Sequence, residues 1–543
     1  MIWDYFPTSR LQNIVGEQTL DTLSALLPIV DDTIATVHFL NDRAMLGSLV
    51  NSFANEDFFC KRETLAECLY FLPEPQYNDL CAMLEIGQGR EHEKRVVEKL
   101  LRDHTAFQNF ANMFGVVERF WPKKAENVQP MIICSPPTHA QPITIHAPFK
   151  RLKNYQNVVF EEAKEALFPN NSRLVVQMPT GSGKTRTAME LICEHFLQSD
   201  SSAMVIWLAN SSELCEQALQ CFAETWQFVG NEEVAVHRCW GGLDNHLDVN
   251  ISKFKSNFVV CSFQTVWRRL QQQNFPAQDC TLLIVDEAHI AVADTYEASI
   301  QAIQRASNCR ILGLTATPGR SEAVETQALA GLFQGNLVGL KDPNGRFENA
   351  ITFLRSKKVL STVEYIELQS GINVPDEQTE GVEFSDKILK FLGAEPSRLQ
   401  LVVQNLLPFL KDNKKVILFA PSKQSSRFFA SIFAYLGFKA GHVDGETPAL
   451  TRRTVIRDFN EQRIQIISNY GVLAAGFDSP KVDLVCLARP TKSAVLYSQM
   501  IGRGLRGPAV GGTEHCTVLE VRDNFLGMAM ETDLYEIFSD YWS

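Results

Sequence analysis

The sequence predicts an α/β protein in which two tandem parallel-sheet domains follow a mostly helical N-terminal domain. From about residue 150, short apolar runs rich in β-branched residues, such as 205–208 and 282–285, alternate with helical stretches. Apolar strands between helices are typical of parallel sheets that are covered on both faces. The alternation fades at 342–345, a turn-rich segment, and returns at 416–419, so it indicates two sheet domains.

The first 130 residues are predicted to be helical because their apolar residues recur three and four positions apart. Leu20, Leu23 and Leu27 follow this spacing, as do Val97 and Leu101. The stretch that follows is rich in proline and carries almost no charge, which is typical of a linker. The predicted divisions are a helical accessory domain at 1–130, a linker at 131–150, a first sheet domain at 151–340, a connector at 341–375, a second sheet domain at 376–530 and a tail at 531–543.

Length and composition are those of a large globular chain. Of the 543 residues, 45% are hydrophobic and 21% are charged, which excludes a wholly disordered or a collagen-like protein. The 13 cysteines are scattered, no apolar run approaches the roughly 20 residues of a membrane span, and the N-terminus lacks a signal-peptide pattern. We therefore expect a cytoplasmic protein without disulfides and without membrane contact.

The chain is acidic, with 51 Lys and Arg residues against 63 Asp and Glu residues and a formal charge of −12. This balance argues against a protein that coats nucleic acid by bulk positive charge. Residues 1–150 hold 13 basic and 19 acidic side chains, a net of −6, so half of the charge lies outside the two sheet domains. The sheet domains could still hold phosphates with loops and helix ends, and the acidic N-terminal domain favours a protein partner or an autoinhibitory role.

A phosphate-binding loop is predicted at 178–185, which reads Met-Pro-Thr-Gly-Ser-Gly-Lys-Thr and lies between an apolar strand and a helix. Glycines let the backbone curl so that its N–H groups and the helix N-terminus converge on phosphate oxygens. Lys184 would reach the β- and γ-phosphates of ATP, and Thr185 would bind Mg²⁺. The residues expected to hold the nucleotide in this loop are Thr180, Gly181, Ser182, Gly183, Lys184 and Thr185.

Two adjacent carboxylates, Asp286 and Glu287, follow the apolar run 282–285. Such a strand carries them to its C-terminal end, which is where ligands bind in an open α/β sheet. Asp286 would hold Mg²⁺, directly or through water, and Glu287 would polarise the water that attacks the γ-phosphate. An acidic helix cap would explain the pair if it stood alone, but the phosphate-binding loop upstream favours a catalytic role.

The order and wording of these motifs resemble those of the superfamily 2 helicases over about residues 150–525. The resemblance implies two RecA-like domains, ATP hydrolysis and a nucleic-acid substrate. It makes Gln156 the reader of the adenine base and, through motif V, makes Gly476 and Asp478 part of the nucleotide site. The matching segments are 151–156 for the adenine-contacting element, 209–214 for motif Ia, 262–265 for a strand-contacting loop, 315–318 for motif III, 469–478 for motif V and 499–506 for motif VI.

Motif VI can also be interpreted from its residues. Arg503 and Arg506 would share one face if the segment is helical, and arginine offers phosphoryl oxygens a fixed charge and a planar fork of donors. If the second domain supplies them, they complete the ATP site only when the domains close, as arginine fingers do. Solvated surface arginines are the alternative. With Lys184 and Glu287, the resemblance makes Gln499, Arg503 and Arg506 the catalytic set.

The resemblance also implies a link between the ATP site and a nucleic-acid groove. His289 would hydrogen-bond motif III at Thr315 or Thr317 and so couple hydrolysis to the groove. Nucleic acid is expected to lie across both sheet domains, with its phosphates contacted by the loop 262–265 and by Ser422. Four basic residues could add a local basic strip, although solvated side chains are the commoner explanation: Lys253, Lys255, Arg268 and Arg269.

We therefore predict an ATP-dependent nucleic-acid helicase or translocase that couples hydrolysis to domain closure. The wording of the motifs resembles the branch of restriction-enzyme translocases and DNA-repair helicases, which favours DNA over RNA as the partner. The alternatives are a motor subunit of a DNA modification, restriction or defence complex, an RNA helicase and, least favoured, a nucleotide-gated scaffold that does not hydrolyse ATP. The N-terminal residues match no domain, and we expect a protein partner to dock there.

Overall fold

The computed structural model contains two mainly parallel sheets and an N-terminal group of helices, which confirms the predicted fold class. Among the described residues, no helix is long and apolar enough to cross a membrane. The residues that the structure describes are 1–16, 20, 42–54, 58–117, 120–121, 129–136, 151–167, 172–199, 201–244, 247, 253–320, 322–340, 349–373, 383–474, 479, 481–523 and 538–542.

The N-terminal helices pack around an aromatic core centred on Trp3. The Trp3 ring centroid lies 5.5–6.1 Å from those of four phenylalanines, and its indole N–H donates to Asn51 Oδ1 at 2.7 Å. Such ring contacts and a partner for the indole N–H are usual for a buried tryptophan. The described helices here are α1 (Thr8–Val15), α2 (Arg43–Phe53), α3 (Arg62–Phe71), α4 (Glu74–Met83), α5 (Glu93–Arg102) and α6 (His104–Phe114).

The first sheet has eight strands in the order β1-β4-β5-β3-β6-β7-β2-β8, and every neighbouring pair is parallel except β1 and β4. Its strands are β1 (Met131–Cys134), β2 (Arg173–Gln177), β3 (Ala203–Ala209), β4 (Val234–Cys239), β5 (Ser256–Ser262), β6 (Cys280–Asp286), β7 (Arg310–Thr315) and β8 (Leu337–Gly339). Its helices are α7 (Asn154–Leu167), α8 (Lys184–Leu197), α9 (Ser212–Val229), α10 (Phe263–Gln271), α11 (Asp294–Ser307) and α12 (Ala323–Leu332).

The second sheet has six strands in the order β11-β12-β10-β13-β14-β9, all parallel. Helix α13 (Ala350–Ser356) precedes it in the chain. Its strands are β9 (Thr362–Gln369), β10 (Val416–Phe419), β11 (Ala440–Val443), β12 (Ile466–Asn469), β13 (Leu484–Leu487) and β14 (His515–Arg522). Its helices are α14 (Asp386–Ala394), α15 (Pro396–Lys411), α16 (Lys423–Tyr435), α17 (Ala449–Asn460) and α18 (Ala494–Ile501).

Two strands lie in segments that the sequence assigns to connections. Residues 131–134, placed in the linker, form β1 and pair with β4, and β9 lies within the predicted connector 341–375 and pairs with β14 along its whole length. A run of four apolar residues next to prolines does not stand out from a linker. The edge strand β9 alternates polar and apolar residues, so it lacks the continuous apolar run that marked the other strands.

The strands of the second sheet contribute side chains to two different apolar cores. In β10, Ile417 and Phe419 belong to the core that continues into the first sheet domain, whereas Val416 and Leu418 belong to the core that contains the N-terminal helices. Alternation of this kind follows from the two-residue period of a strand. Helix α16 lies between this sheet and helix α2, so the N-terminal helices share a core with the second sheet domain.

A fully buried ion pair also holds the second sheet domain together. Arg398 of α15 binds Asp523 at the end of β14 through two bonds, Nε to Oδ1 at 3.0 Å and Nη2 to Oδ2 at 3.1 Å. The side chains are 1% and 0% exposed, and the Ser370 hydroxyl donates to the same carboxylate at 2.5 Å. Three donated hydrogen bonds thus satisfy the Asp523 carboxylate. Together they connect α15 to the ends of β9 and β14.

Candidate nucleotide site

The predicted phosphate-binding loop connects β2 to α8. Gly181 and Gly183 have φ values of +83° and +94°, a left-handed backbone that glycine adopts without strain. The Ser182 N–H donates to the Pro179 carbonyl at 3.1 Å, and the Ser182 hydroxyl donates to the same oxygen at 2.6 Å. The loop therefore curls back on itself and directs the N-terminus of α8, which begins at Lys184, toward the space that it encloses.

Gln156, the predicted base reader, lies against the back of this loop. Its Oε1 accepts from the Lys153 N–H at 2.8 Å, and its Nε2 donates to the Ser182 carbonyl at 3.2 Å. A β-carbon on Gly183 would overlap the Gln156 amide. The Tyr155 hydroxyl donates to the Ser182 carbonyl as well, at 2.8 Å. Sequence reasoning missed Tyr155, whose only signal was its position beside Gln156, while base reading by Gln156 remains a prediction.

The acidic pair lies at the C-terminal end of β6, as expected for a ligand site in a parallel sheet. Asp286 is the last residue of the strand and is 5% exposed. Glu287 follows in a left-handed backbone conformation with φ of +49°, and its N–H donates to Asp286 Oδ1 at 3.0 Å. A residue other than glycine in this conformation is strained, and such strain is typical of functional sites.

Burial and neighbouring charges shift the pKa values of the two carboxyl groups in opposite directions. Burial raises the pKa of Asp286 to about 7, with Glu287 adding to the rise and Lys184 opposing it. Burial also acts to raise the pKa of Glu287, but positive charge nearby, Lys184 foremost, brings this pKa below its ordinary value. Glu287 is thus the more readily ionised member of the pair, and its charged form is the one that can orient and polarise a water molecule.

His289 joins the acidic pair to motif III and to the second domain. Its Nδ1 lies 3.2 Å from Thr315 Oγ1, and its Nε2 lies 3.5 Å from Gln499 Nε2. The Thr315 hydroxyl donates to the Thr317 carbonyl at 3.0 Å, so its oxygen can only accept from the imidazole, which makes Nδ1 the protonated nitrogen. Burial lowers the pKa of His289 to about 4, which keeps the ring neutral.

The phosphate-binding loop and motif III are also linked directly. The Met178 N–H, at the start of the loop, donates to the Thr315 carbonyl at 3.1 Å, and the Thr317 N–H donates to Thr315 Oγ1 at 3.1 Å. Thr315 therefore contacts the loop through its backbone and His289 through its side chain. The structure brings together all three predicted coupling residues, His289, Thr315 and Thr317.

Motif VI approaches the phosphate-binding loop from the second domain through Arg506 and Gly502. Arg506 Cγ lies 3.5 Å from where a β-carbon on Gly181 would be, and a β-carbon on Gly502 would lie 2.6 Å from Thr180 Cγ2. Arg503 donates to the Ala474 carbonyl at 2.7 Å and adds to the positive charge that lowers the pKa of Glu287. Helix α18 ends at Ile501, so the two arginines follow the helix and do not share one of its faces.

Two polar contacts between the sheet domains were not anticipated from the sequence. Glu213, within the motif Ia segment, binds Arg452 Nη1 of α17 at 2.7 Å, and both side chains are partly buried. Lys153 Nζ donates to the Ala509 carbonyl at 2.9 Å. Because the partners are hundreds of residues apart in the chain, no local pattern could have paired them.

The hydroxyl groups expected to contact nucleic acid cap helices in this structure. Ser262 Oγ accepts from the Thr265 N–H at 3.4 Å at the start of α10, and Ser422 Oγ accepts from the Ser425 N–H at 3.1 Å at the start of α16. Ser211 caps α9 in the same way. Helix N-termini attract phosphate, so the interpretation as a nucleic-acid face stays a prediction that rests on these helix ends.

The basic strip does not form as expected. Arg269 is 3% exposed, and both Arg268 Nη2 and Arg269 Nη1 bind Asp244 Oδ2, at 2.6 Å and 3.2 Å. Lys255 Nζ pairs with Glu232 Oε2 at 3.2 Å. Two carboxylates, Asp244 and Glu232, thus pair with Arg268, Arg269 and Lys255, and the local sequence did not reveal these pairings.

Motif V lies partly within the described residues. Asn469 is buried at the end of β12, where its Nδ2 donates to the Leu418 carbonyl at 3.0 Å, whereas Gly476 and Asp478 lie outside the described residues.

No group of three or more His, Cys, Asp or Glu residues that could hold a metal occurs in the part of the chain that the structure describes. A Mg²⁺ ion would therefore depend on Asp286, Thr185 and the nucleotide.

Two family models match the chain in order. The model for the res subunit of type III restriction enzymes matches residues 149–320, and the model for the conserved C-terminal domain of helicases matches residues 398–507. The first match contains the phosphate-binding loop, the acidic pair and motif III, and the second contains motif VI. Neither model extends into residues 1–148.

Individual relatives are distant. The chain is 24% identical over 399 residues to the Saccharomyces cerevisiae protein named "Putative ATP-dependent helicase IRC3", a match that covers 72% of this chain and 54% of that protein. It is 28% identical over 339 residues to a 51.5 kDa protein of a Lactococcus phage, covering 61% and 62%. The chain thus spans little more than half the length of these relatives. Among solved structures, the Hef helicase domain of Pyrococcus furiosus is 15% identical with a TM-score of 0.40, covering 72% of this chain and 98% of that one.

Proposed function

Because the chain belongs to superfamily 2 of the helicases, we propose that it hydrolyses ATP in order to move along DNA. The observation that carries the proposal is the approach of Arg506 and Gly502, from the second domain, to the phosphate-binding loop of the first. Hydrolysis would then require the closed arrangement of the two domains. Repeated closing and opening would move one domain relative to the other along the strand.

The residues present suit this chemistry. Backbone N–H groups of 181–185 and the Lys184 ammonium would bind the phosphates, and Glu287 would orient the attacking water. Arg503 and Arg506 would stabilise charge that develops on the transferred phosphoryl group, and Gln499 would be held beside them by His289.

Mg²⁺ is the metal that the donor set fits, since Asp286 and Thr185 offer hard oxygen ligands and bound phosphates would supply more. When bound, it would neutralise charge on the β- and γ-phosphates. The Asp-Glu-Ala-His sequence at 286–289 supports assignment to the DEAH-box proteins, because His289 makes the contact with motif III that this assignment implies.

DNA is preferred over RNA as the substrate because the first domain matches a restriction-enzyme subunit and because the motifs resemble the restriction and DNA-repair branch. A role as the motor subunit of a DNA modification, restriction or defence complex is the second candidate, and it draws on the same match. The thirteen cysteines are free thiols, which supports a cytoplasmic location. A protein partner would dock on the acidic N-terminal helices, on surfaces other than the one that packs against α16.

ATPase activity measured with single-stranded DNA, duplex DNA and RNA tests the proposal. We expect either form of DNA to raise the rate severalfold more than RNA does. Equal rates with and without nucleic acid would remove the translocase function, and stimulation by RNA alone would remove the assignment to DNA.

The variant Glu287→Gln tests the site itself. It should lower kcat by about 10²–10⁴ while ATP still binds, because the loop and Lys184 remain intact. The matched variant Glu224→Gln, at an exposed position of α9, should hydrolyse ATP at the normal rate. Normal hydrolysis by Glu287→Gln would show that the catalytic assignment is wrong.

A further inference from the structure

Residues 538–542, named here the docking segment, lie against the loop 315–320, which contains motif III. The Trp542 indole N–H donates to the Pro318 carbonyl at 2.8 Å, and its ring packs on one apolar core of the first sheet. Phe538 is 7% exposed, and its ring is seated on Gly319, where a β-carbon would overlap it. The docking segment thus contacts two consecutive residues of one loop through two aromatic side chains.

The docking segment presents one face to this loop. Its short 3-10 turn, Ser539–Tyr541, separates the two aromatic rings, and the Tyr541 N–H donates to the Phe538 carbonyl at 3.3 Å. Tyr541 itself is 39% exposed. The turn therefore directs Phe538 and Trp542 to the protein and leaves Tyr541, which lies between them, partly exposed, which provides an internal control position.

The loop that the docking segment contacts is hydrogen-bonded to His289, which follows the acidic pair in the chain. Its first end is fixed by Thr315, whose hydroxyl hydrogen-bonds His289, and by Thr317, which hydrogen-bonds Thr315. Its second end is fixed at Arg320, whose N–H donates to Thr326 Oγ1 at 2.9 Å and whose charge helps to lower the pKa of His289. The middle of the loop, Pro318 and Gly319, is the part that the docking segment holds.

The docking segment follows the last strand of the other domain. Strand β14 ends at Arg522 in the second sheet, and Asp523 is anchored there by the buried pair with Arg398. The chain then contacts the first domain at Phe538. One anchor is therefore in each domain.

We propose that Phe538 and Trp542 are positioning residues for ATP hydrolysis, which tether the second domain to the motif III loop and favour the closed arrangement of the site. The proposal rests on the proposed function, since the arrangement it stabilises is the one in which Arg503 and Arg506 serve the ATP site. The tether lowers the free energy of closing when no nucleic acid is bound, and it matters least when nucleic acid already holds both domains.

The test compares the full chain carrying Phe538→Ala and Trp542→Ala with the unsubstituted protein. Without nucleic acid, the double variant should raise the KM for ATP by about threefold or more, because closed molecules become rarer. At saturating DNA, kcat should stay within about twofold. The radius of gyration, measured by X-ray scattering without nucleotide, should increase. Tyr541→Ala is the matched control and should change none of these quantities.

A second variant displaces the docking segment from the other side. Gly319→Ala places a methyl group where the Phe538 ring lies and should reproduce the larger radius without altering residues 538–542. An unchanged radius and KM in the double variant, or a higher ATPase rate, would overturn the proposal. If the unsubstituted protein hydrolyses no ATP, the proposed function fails, while the scattering comparison still decides whether the tether exists.

Discussion

Helices α9 and α16 pack on the first and the second sheet, respectively, but they differ in how much of their surface is buried. Helix α9 buries residues three and four positions apart, such as Leu214, Ala218 and Phe222, and leaves its other side to solvent. Helix α16 is buried without a break from Phe428 to Phe433. A helix that is apolar all round has partners on both sides, and the outer partner of α16 is the N-terminal helix α2.

This difference assigns the N-terminal helices a structural role. The first sheet domain is complete with its own helices, whereas the second exposes an apolar helix face unless residues 43–53 cover it. The sequence predicted an accessory domain with a partner-docking or autoinhibitory role. The shared core indicates that the N-terminal helices also complete the second sheet domain, so we expect the two to unfold together.

Breaking the contact between α2 and α16 should have the largest effect. Leu49 is fully buried in α2, and Leu49→Asp places a carboxylate in the shared core at a cost on the order of 4 kcal/mol or more. We expect the N-terminal helices and the second domain to unfold together in thermal melts followed by circular dichroism. Tyr70→Asp, at a site that is 73% exposed, is the control and should melt normally. Retention of an unshifted second-domain transition would mean that the N-terminal helices are independent.

Removing one partner of the buried ion pair should come next. Asp523→Ala leaves the Arg398 guanidinium buried without its carboxylate, which should lower the free energy of unfolding by about 3–5 kcal/mol in urea titrations. Glu514→Ala, which removes the exposed partner of Lys358, should give no measurable change. The double variant Arg398→Met with Asp523→Leu should recover part of the loss. If it is no more stable than Asp523→Ala, the unpaired charge is not the cause.

The smallest expected effect concerns the first domain and pH. Burial, and then the charge of Arg310, lower the pKa of His195 in α8 to about 4, and its Nε2 lies 2.9 Å from Thr281 Oγ1. Since the unfolded chain takes up a proton near pH 6.5 and the folded chain does not, the stability contributed by this site is present above that pH and is lost as the pH falls toward 4. In His195→Gln, the midpoint of unfolding should therefore depend less steeply on pH between about pH 6.5 and pH 4. An identical pH slope in the variant would rule out His195 as the source.

The chemistry of the site was predictable to a greater extent than its surroundings. Loop 178–185 and the Asp286–Glu287 pair each follow an apolar strand, and parallel strands bring such residues to one edge of a sheet, so their proximity followed from local pattern. The strands β1 and β9 were missed because each is recognisable only beside its partner. The basic strip that the sequence allowed does not form because Asp244, 24 positions from Arg268 in the chain, binds it.

The sequence alone determined the two sheet domains and the nucleotide loop and predicted the residues assigned to hydrolysis, because each depends on neighbours within a few positions. Only the tertiary structure decided that Arg506 reaches Gly181, that α2 completes α16 and that Trp542 binds Pro318. These contacts join segments from different domains. Their energy comes from burying apolar surface and pairing polar groups across the whole fold, and no local periodicity records which distant segments will meet.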